Sequence, residues 1–334
     1  MSSQKERGGN PRLPRNGNAA RLSPVYCEPR PPRGIPRGGS PAFSTEEKAF
    51  LFLTGPAAPV TAMEVMNRPL EFISAFAAFC FFACAIPARA ARFVSLMPSY
   101  TEIIFALGAG GELVGVSNFC NWPPEAAKIA KTGDYLRPNI EKVYSLKPDA
   151  VFAGAWAGGS STKQLASMGV KVVSLPEEKK PEDIFSTIRL IAAEVGRKAA
   201  GEKLVKKLSA ALPAPYKGVP RKVYIEEDAG GWTAGGDSFL SGAVALAGGS
   251  NIFSGEKKGY FQASWEEVLL QDPDAVILLS GTEKEFLARP LARGLSAAKR
   301  GLIITSLNGD AFSRPGPRLF GEIGKLRKLL YGEK

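Results

Sequence analysis

The chain has 334 residues, 45% of them hydrophobic and 22% charged, so most of it can bury a core and it has room for two ordinary domains. Lysine and arginine together number 43 against 32 acidic residues, a formal charge of +11, and there is no histidine. That absence excludes Ser-His-Asp and Cys-His nucleophiles, His-ligated zinc or iron, and any protein imidazole beneath a haem or a cobalt. The four cysteines, at positions 27, 80, 84 and 120, lack the close spacing of a Cys₄ metal site.

Residues 1–62 differ in composition from the rest. They hold 10 prolines and 7 glycines, and stretches such as Pro29–Gly39 can form neither a helix nor a central strand. The expectation is a disordered or mis-annotated extension. A basic nucleic-acid-binding arm is the competing reading, but nothing aromatic alternates with the arginines, so no nucleic-acid partner is expected.

Residues 63–90 read as an export signal. Met66-Asn67-Arg68 gives a short positive start, and Phe72–Ile86 is an uncharged run of 15 residues. Ala88 and Ala90 then supply the small-x-small pattern of signal-peptidase cleavage. The run is short for a permanent membrane span. This pattern places the start of synthesis at Met66 or Met63, and the mature chain at Ala91. Cys84 as a lipid-attachment site is the weaker reading, because the aliphatic residue expected three positions earlier is missing. The expected location is periplasmic. Of the cysteines only Cys120 remains in the mature chain, so no intramolecular disulfide is expected there.

Strand and helix patterns alternate from Arg92 onward. Phe93–Leu96 reads as a strand and Pro98–Leu107 as a helix, with Ser99 as N-cap and Glu102 completing a capping box. Gly108 ends it. Strands follow at Leu113–Val116, Ala150–Ala153 and Val170–Leu175, with helices at Lys163–Met168 and Ile184–Val195. Arg197–Leu212 reads as a strut between two halves, closed by Pro213 and Pro215. The pattern then restarts, with strands at Lys222–Ile225, Ala275–Leu279 and Leu302–Thr305. Helices are expected at Phe239–Ala247, Trp265–Leu270 and Arg318–Leu330. This series predicts an N-terminal α/β lobe over 91–195, a bridging helix over 196–214 and a C-terminal α/β lobe over 215–334. Sites in such architectures lie between the lobes, at the carboxyl ends of strands.

No catalytic motif emerges. There is no Gly-x-Ser-x-Gly and no Walker A sequence, and Gly108-Ala109-Gly110-Gly111 ends a helix instead of opening one. Binding is therefore expected over turnover, and the chain is expected not to be an enzyme.

Several segments carry a resemblance. Phe93–Gly108, with the sequence FVSLMPSYTEIIFALG, resembles the opening of the cobalamin and iron-siderophore class of periplasmic binding proteins. Gly115–Ala126, Leu146–Asp149, Leu165–Gly169, Ala247–Phe253 and Ser264–Asp274 continue it in order, with Gly115–Ala126 closest to the vitamin B12-binding branch. The resemblance covers about residues 91–332. It implies a class III periplasmic binding protein fold, two Rossmann-like lobes bridged by a single long helix. It also implies capture of cobalamin or a related corrinoid between the lobes and delivery to the membrane permease of an ABC importer. No cofactor is implied beyond the transported ligand.

The resemblance further implies site residues. Tyr135, Trp156, Trp232 and Tyr260 fall at places where corrinoid binders put aromatic rings, which suit a flat macrocycle. Asp310 and Arg314 match a late loop whose Asp and first Arg reach the ligand's polar edge; a loop salt bridge that only shapes the cleft is the alternative. Phe312 is expected in the core. Glu266 matches the second-lobe glutamate with which relatives dock on the importer, although carboxylates suit the first turn of any helix. The first-lobe counterpart is missing, because Gly158–Thr162 holds no acid. Cys120 is expected to be a sheltered packing residue. With no histidine to offer cobalt, a bound cobalamin should keep its own lower base. A ferric-siderophore or haem-type ligand is the alternative within the class, and a membrane-tethered α/β enzyme is the alternative outside it.

Overall fold

Phe93, Val94 and Ser95 are all buried, as are all five residues of Ala150–Gly154, and strands buried on both faces belong inside a parallel sheet covered by helices. These are β1 and β3 of the N-terminal lobe. The computed structural model describes residues 89–155 and 159–332, within a unit that begins at Ala83. The 1–62 extension, the expected export signal up to Ala88, and Trp156 lie outside the described residues.

The first sheet runs β2-β1-β3-β4, with β2 at Leu113–Val116 and β4 at Val172–Leu175, and all neighbours are parallel. Its helices are α1 (Pro98–Ala106), α2 (Ile140–Ser145), α3 (Gly159–Ser167) and α4 (Asp183–Glu194). Proline at N1 starts α1, where its missing N–H is no loss. The expected capping box does not form. Met97 is the N-cap and makes no side-chain cap, and the Glu102 carboxylate is taken by arginines of the other lobe. Gly108 ends the helix at φ 77°, a conformation costly to any residue with a Cβ.

The second sheet runs β10-β9-β5-β7, again all parallel. It comprises β5 (Arg221–Glu226), β7 (Gly249–Asn251), β9 (Ala275–Leu278) and β10 (Ile303–Ile304). A separate antiparallel pair joins β6 (Trp232–Ala234) to β8 (Tyr260–Gln262), in register Trp232 with Gln262 and Ala234 with Tyr260. The main helices are α6 (Phe239–Leu246), α7 (Trp265–Gln271) and α11 (Leu319–Tyr331). Short helices α8 (Glu283–Leu287), α9 (Ser296–Lys299) and α10 (Gly309–Phe312) fill the connections. Phe312 is fully buried, as expected, and so is Cys120, whose Sγ meets Thr101 Oγ1 and Ser117 Oγ at 3.1 and 3.2 Å.

The chain passes between lobes through α5 (Lys198–Ala210), a 13-residue helix, roughly 20 Å long. It packs along α4, where Gly201 brings the backbones together against Ala192. Packing across the lobes falls to α4 itself. Ile184, Ile188, Ile191 and Ala192 repeat at helical spacing on its buried face. Phe185 stacks on Phe320 of α11 at 5.1 Å, and Gly242 of α6 lies against Pro181. One apolar core therefore runs through both sheets, containing Ile188, Phe152, Val223 and Phe320 alike.

Candidate functional site

The loops leaving β1, β2, β4 and β5 at their carboxyl ends converge with β8 and the α10–α11 loop around a cavity of about 440 Å³. This is where parallel sheets place ligands. The N-terminal lobe contributes Met97, Pro98 and Ser99 after β1, Phe119 and Tyr135 after β2, and Glu177 and Glu178 after β4. The C-terminal lobe contributes Glu227, Phe239, Tyr260 and the Ser313–Pro315 turn.

Three expected residues meet here. Tyr135 lines the cavity with its ring 5.6 Å from Phe119 and inclined 60° to it. Tyr260 lines the opposite wall and is 40% exposed. Its phenol is held above its ordinary value by burial within the cleft, with Glu227, Glu177 and Glu178 adding to the rise and a Ser238 hydrogen bond opposing it. Arg314 is the third.

Trp232 is not part of the cavity wall. Pairing of β6 with β8 puts Trp232, Ala234, Tyr260 and Gln262 on one face of the hairpin, because side chains alternate along a strand. Thr233 and Phe261 point the other way, into the C-terminal lobe. Trp232 therefore shares a face with Tyr260 and remains 47% exposed beyond the cavity.

Asp310 and Arg314 belong to a polar latch between lobes. Arg314 Nη1 donates to Asn121 Oδ1 at 2.7 Å and to Glu102 Oε1 at 3.3 Å. Its Nη2 meets Asp310 Oδ1 at 2.9 Å and the Phe119 carbonyl at 3.4 Å. Asn121 Nδ2 donates to Asp310 Oδ2 at 2.8 Å. Arg318 grips both Glu102 oxygens at 2.9 and 2.6 Å and lies 4.8 Å over the Trp122 ring. Arg314 thus faces the cavity while its guanidinium holds the two lobes together. The Asp310 side chain is 51% exposed and does not line the cavity.

Glu266 is exposed in the first turn of α7. Its neighbour Glu267 is occupied, forming a capping box in which Glu267 N donates to Ser264 Oγ at 3.1 Å and Ser264 N to Glu267 Oε2 at 3.2 Å. That leaves Glu266 as the unconstrained carboxylate of the pair.

Sequence reasoning missed the acidic part of the site. Burial pushes Glu227 up to about 7, with Asp228 adding to the rise. Burial likewise raises Glu178, against the hydrogen bond that Thr187 Oγ1 donates at 2.6 Å; Asp183 and Glu177 reinforce the rise. Glu227 follows directly on β5 and Glu178 comes three residues after the end of β4, a signal available from the strand pattern. Among the described residues, the buried side-chain polar atoms without a hydrogen-bond partner are Ser99 Oγ, Tyr100 Oη and Glu227 Oε1. Two of the three residues line the cavity, and Tyr100 is next to Ser99 within the field of Glu178. Buried polar groups are ordinarily paired, so this concentration makes the cavity the candidate binding site.

Comparison with known proteins identifies the family. An ABC transporter substrate-binding lipoprotein of Bacillus subtilis (strain 168), YvrC, is 29% identical over 252 residues, covering 72% of this chain and 80% of the relative. The vitamin B12-binding protein of Salmonella typhimurium (strain LT2) is 33% identical over 238 residues, covering 69% and 86%. The periplasmic haem-binding protein RhuT of Roseiflexus sp. RS-1 superposes with a TM-score of 0.65 at 26% identity, over 73% of this chain and 98% of its own. The periplasmic binding protein family matches residues 93–306, which span both sheets and all of the cavity wall except the Ser313–Pro315 turn, and the chain belongs to that family.

Proposed function

We propose that the chain is the solute-binding component of an ABC importer, which captures cobalamin or a related corrinoid between its lobes and hands it to a membrane permease. The observation that carries this reading is the cavity itself. Tyr135 and Phe119 on one lobe face Tyr260 on the other, in a chain 33% identical to a vitamin B12-binding protein. Aromatic faces suit a flat, methyl-rimmed macrocycle. The family, and the ABC transporter lipoprotein among the relatives, support export from the cytoplasm and delivery without turnover.

The continuous core through α4 and the Glu102 latch stiffen the lobe-to-lobe joint, which favours capture with little domain motion. Asp310 and Arg314 shape the cavity mouth as parts of that latch, and Arg314 also presents itself to the ligand. Trp232 extends the aromatic wall beyond Tyr260. Glu266 is the docking carboxylate of the second lobe.

A haem-type chelate is the second reading, favoured by the likeness to the Roseiflexus protein. Titration with cyanocobalamin and haemin, followed by calorimetry and absorption, separates the two. The expected result is one-to-one binding of cyanocobalamin with a cobalt spectrum close to that of the free ligand, since the chain has no imidazole to displace the lower base. Preferential binding of haemin would replace this reading with the second.

A further inference from the structure

We propose that Glu177, Glu178 and Glu227 form a carboxyl filter across the cleft, which admits a ligand rimmed by amides and turns away one rimmed by carboxylates. The inference rests on the corrinoid reading for the identity of the amide-rimmed ligand, and its own content is the exclusion.

Among the described residues, three glutamates line the cavity against one cation, Arg314. That cation does not offset them, because its guanidinium is already engaged by Glu102 and Asp310. The carboxyls stand on opposite lobes, Glu177 and Glu178 after β4 and Glu227 after β5, so an entering ligand meets acid on both sides. Tyr260 lies within the field of all three, which places them around one space. A ligand carboxylate would add like charge where water is partly excluded and screening is weak. The site already resists its own ionisation at Glu178 and Glu227, and it resists a further negative charge for the same reason.

The unpaired atoms at the cavity point to the same chemistry. Ser99 is only 1% exposed, lines the cavity, and its Oγ has no partner; Glu227 Oε1 is buried and likewise unpartnered. A primary amide carries both a carbonyl acceptor and N–H donors, so one such group satisfies a hydroxyl and a carboxyl together. A carboxylate brings no donor for Glu227. The unsatisfied groups therefore ask for the chemistry that the charges permit.

The test uses two tetrapyrrole-type probes, cyanocobalamin, rimmed by amides, and haemin, which carries two propionates. Both are titrated into the wild-type protein and into Glu177→Gln/Glu227→Gln at about pH 8, above the value of about 7 to which Glu227 is raised. This pair spares Glu178, whose bond to Thr187 is built into the lobe. Circular dichroism verifies folding, and Glu177→Gln alone, at an exposed position, serves if the double variant does not fold. The expected result is a haemin affinity at least tenfold higher in the double variant, or at least threefold higher in the single one. An unchanged haemin affinity overturns the filter, as does failure of haemin to bind either protein, because the carboxyls are then not what excludes it. Cyanocobalamin judges the corrinoid reading separately: no binding by the wild type removes that reading and leaves the haemin comparison standing.

Discussion

Ser99 and Glu102 lie one helical turn apart on α1, and their environments are opposite. Glu102 is buried and receives two arginines from the other lobe, whereas Ser99 is buried with a hydroxyl that meets no partner. The end of β5 repeats the contrast. Glu226 is clasped by Arg289 at 2.5 and 2.8 Å inside the C-terminal lobe, while Glu227, on the alternate face, leaves Oε1 unpartnered at the cavity. The protein satisfies its charges where they hold structure together and leaves polar atoms unpaired at the cavity proposed to take the ligand. Pairing separates the latch from the site, even when the two are a few ångströms of backbone apart.

The contrast can be broken from the latch side first. Glu102→Ala removes the partner of two largely buried arginines, and breaking such a group costs about 3–5 kcal/mol. Denaturant unfolding should show a loss of that size; a loss under about 1 kcal/mol would mean that the latch does not hold the lobes.

From the site side, Glu227 should make stability depend on pH. Its value rises from 4.5 to about 7 on folding, so the folded protein holds the proton more tightly than the unfolded chain. Its contribution is most favourable below about pH 4.5 and is lost as pH rises through 7. For one isolated group the effect is at most roughly 3 kcal/mol. Unfolding measured across that window should fall more steeply in the wild type than in Glu227→Gln; parallel curves would place Glu227 in an ordinary solvated environment.

The aromatic wall gives smaller effects. Tyr260→Ala should weaken cyanocobalamin binding by about 1–3 kcal/mol, and Trp232→Ala, farther out on the same hairpin face, by less than about 1 kcal/mol. Calorimetry that ranked Trp232 above Tyr260 would move the ligand outward along the hairpin. Reversing charge with Glu266→Lys should leave ligand affinity unaltered and reduce importer-dependent uptake. Normal uptake by that variant would remove the docking role.

Much of the frame was legible, for a physical reason. Strands such as Phe93–Ser95 and Ala275–Leu278 are buried on both faces, so short apolar runs betray them without tertiary information. The hairpin of β6 and β8 was not legible. Its strands have three residues each, β6 runs into Gly235-Gly236, and 25 residues separate them, so no alternation links the two. The capping box at Ser99 and Glu102 failed on range. The spacing was right, but Arg314 and Arg318, more than 200 residues away, offered Glu102 charged partners instead of a backbone amide. Of the candidate site, the resemblance names Tyr135 and Tyr260, and the structure brings both to the cavity wall. Glu177, Glu178 and Glu227 follow strand ends, but the resemblance points to rings and carries no sign of charge at these positions.

The central claim is that the cavity between the lobes is where a corrinoid binds. The most direct test is a side-by-side calorimetric titration of cyanocobalamin into the wild-type protein and into Tyr135→Ala/Tyr260→Ala, with both shown to be folded. The account predicts saturable one-to-one binding by the wild type and at least a tenfold loss in the variant, which lacks one ring from each wall. Equal affinity in the two proteins, or no binding by the folded wild type, would contradict it.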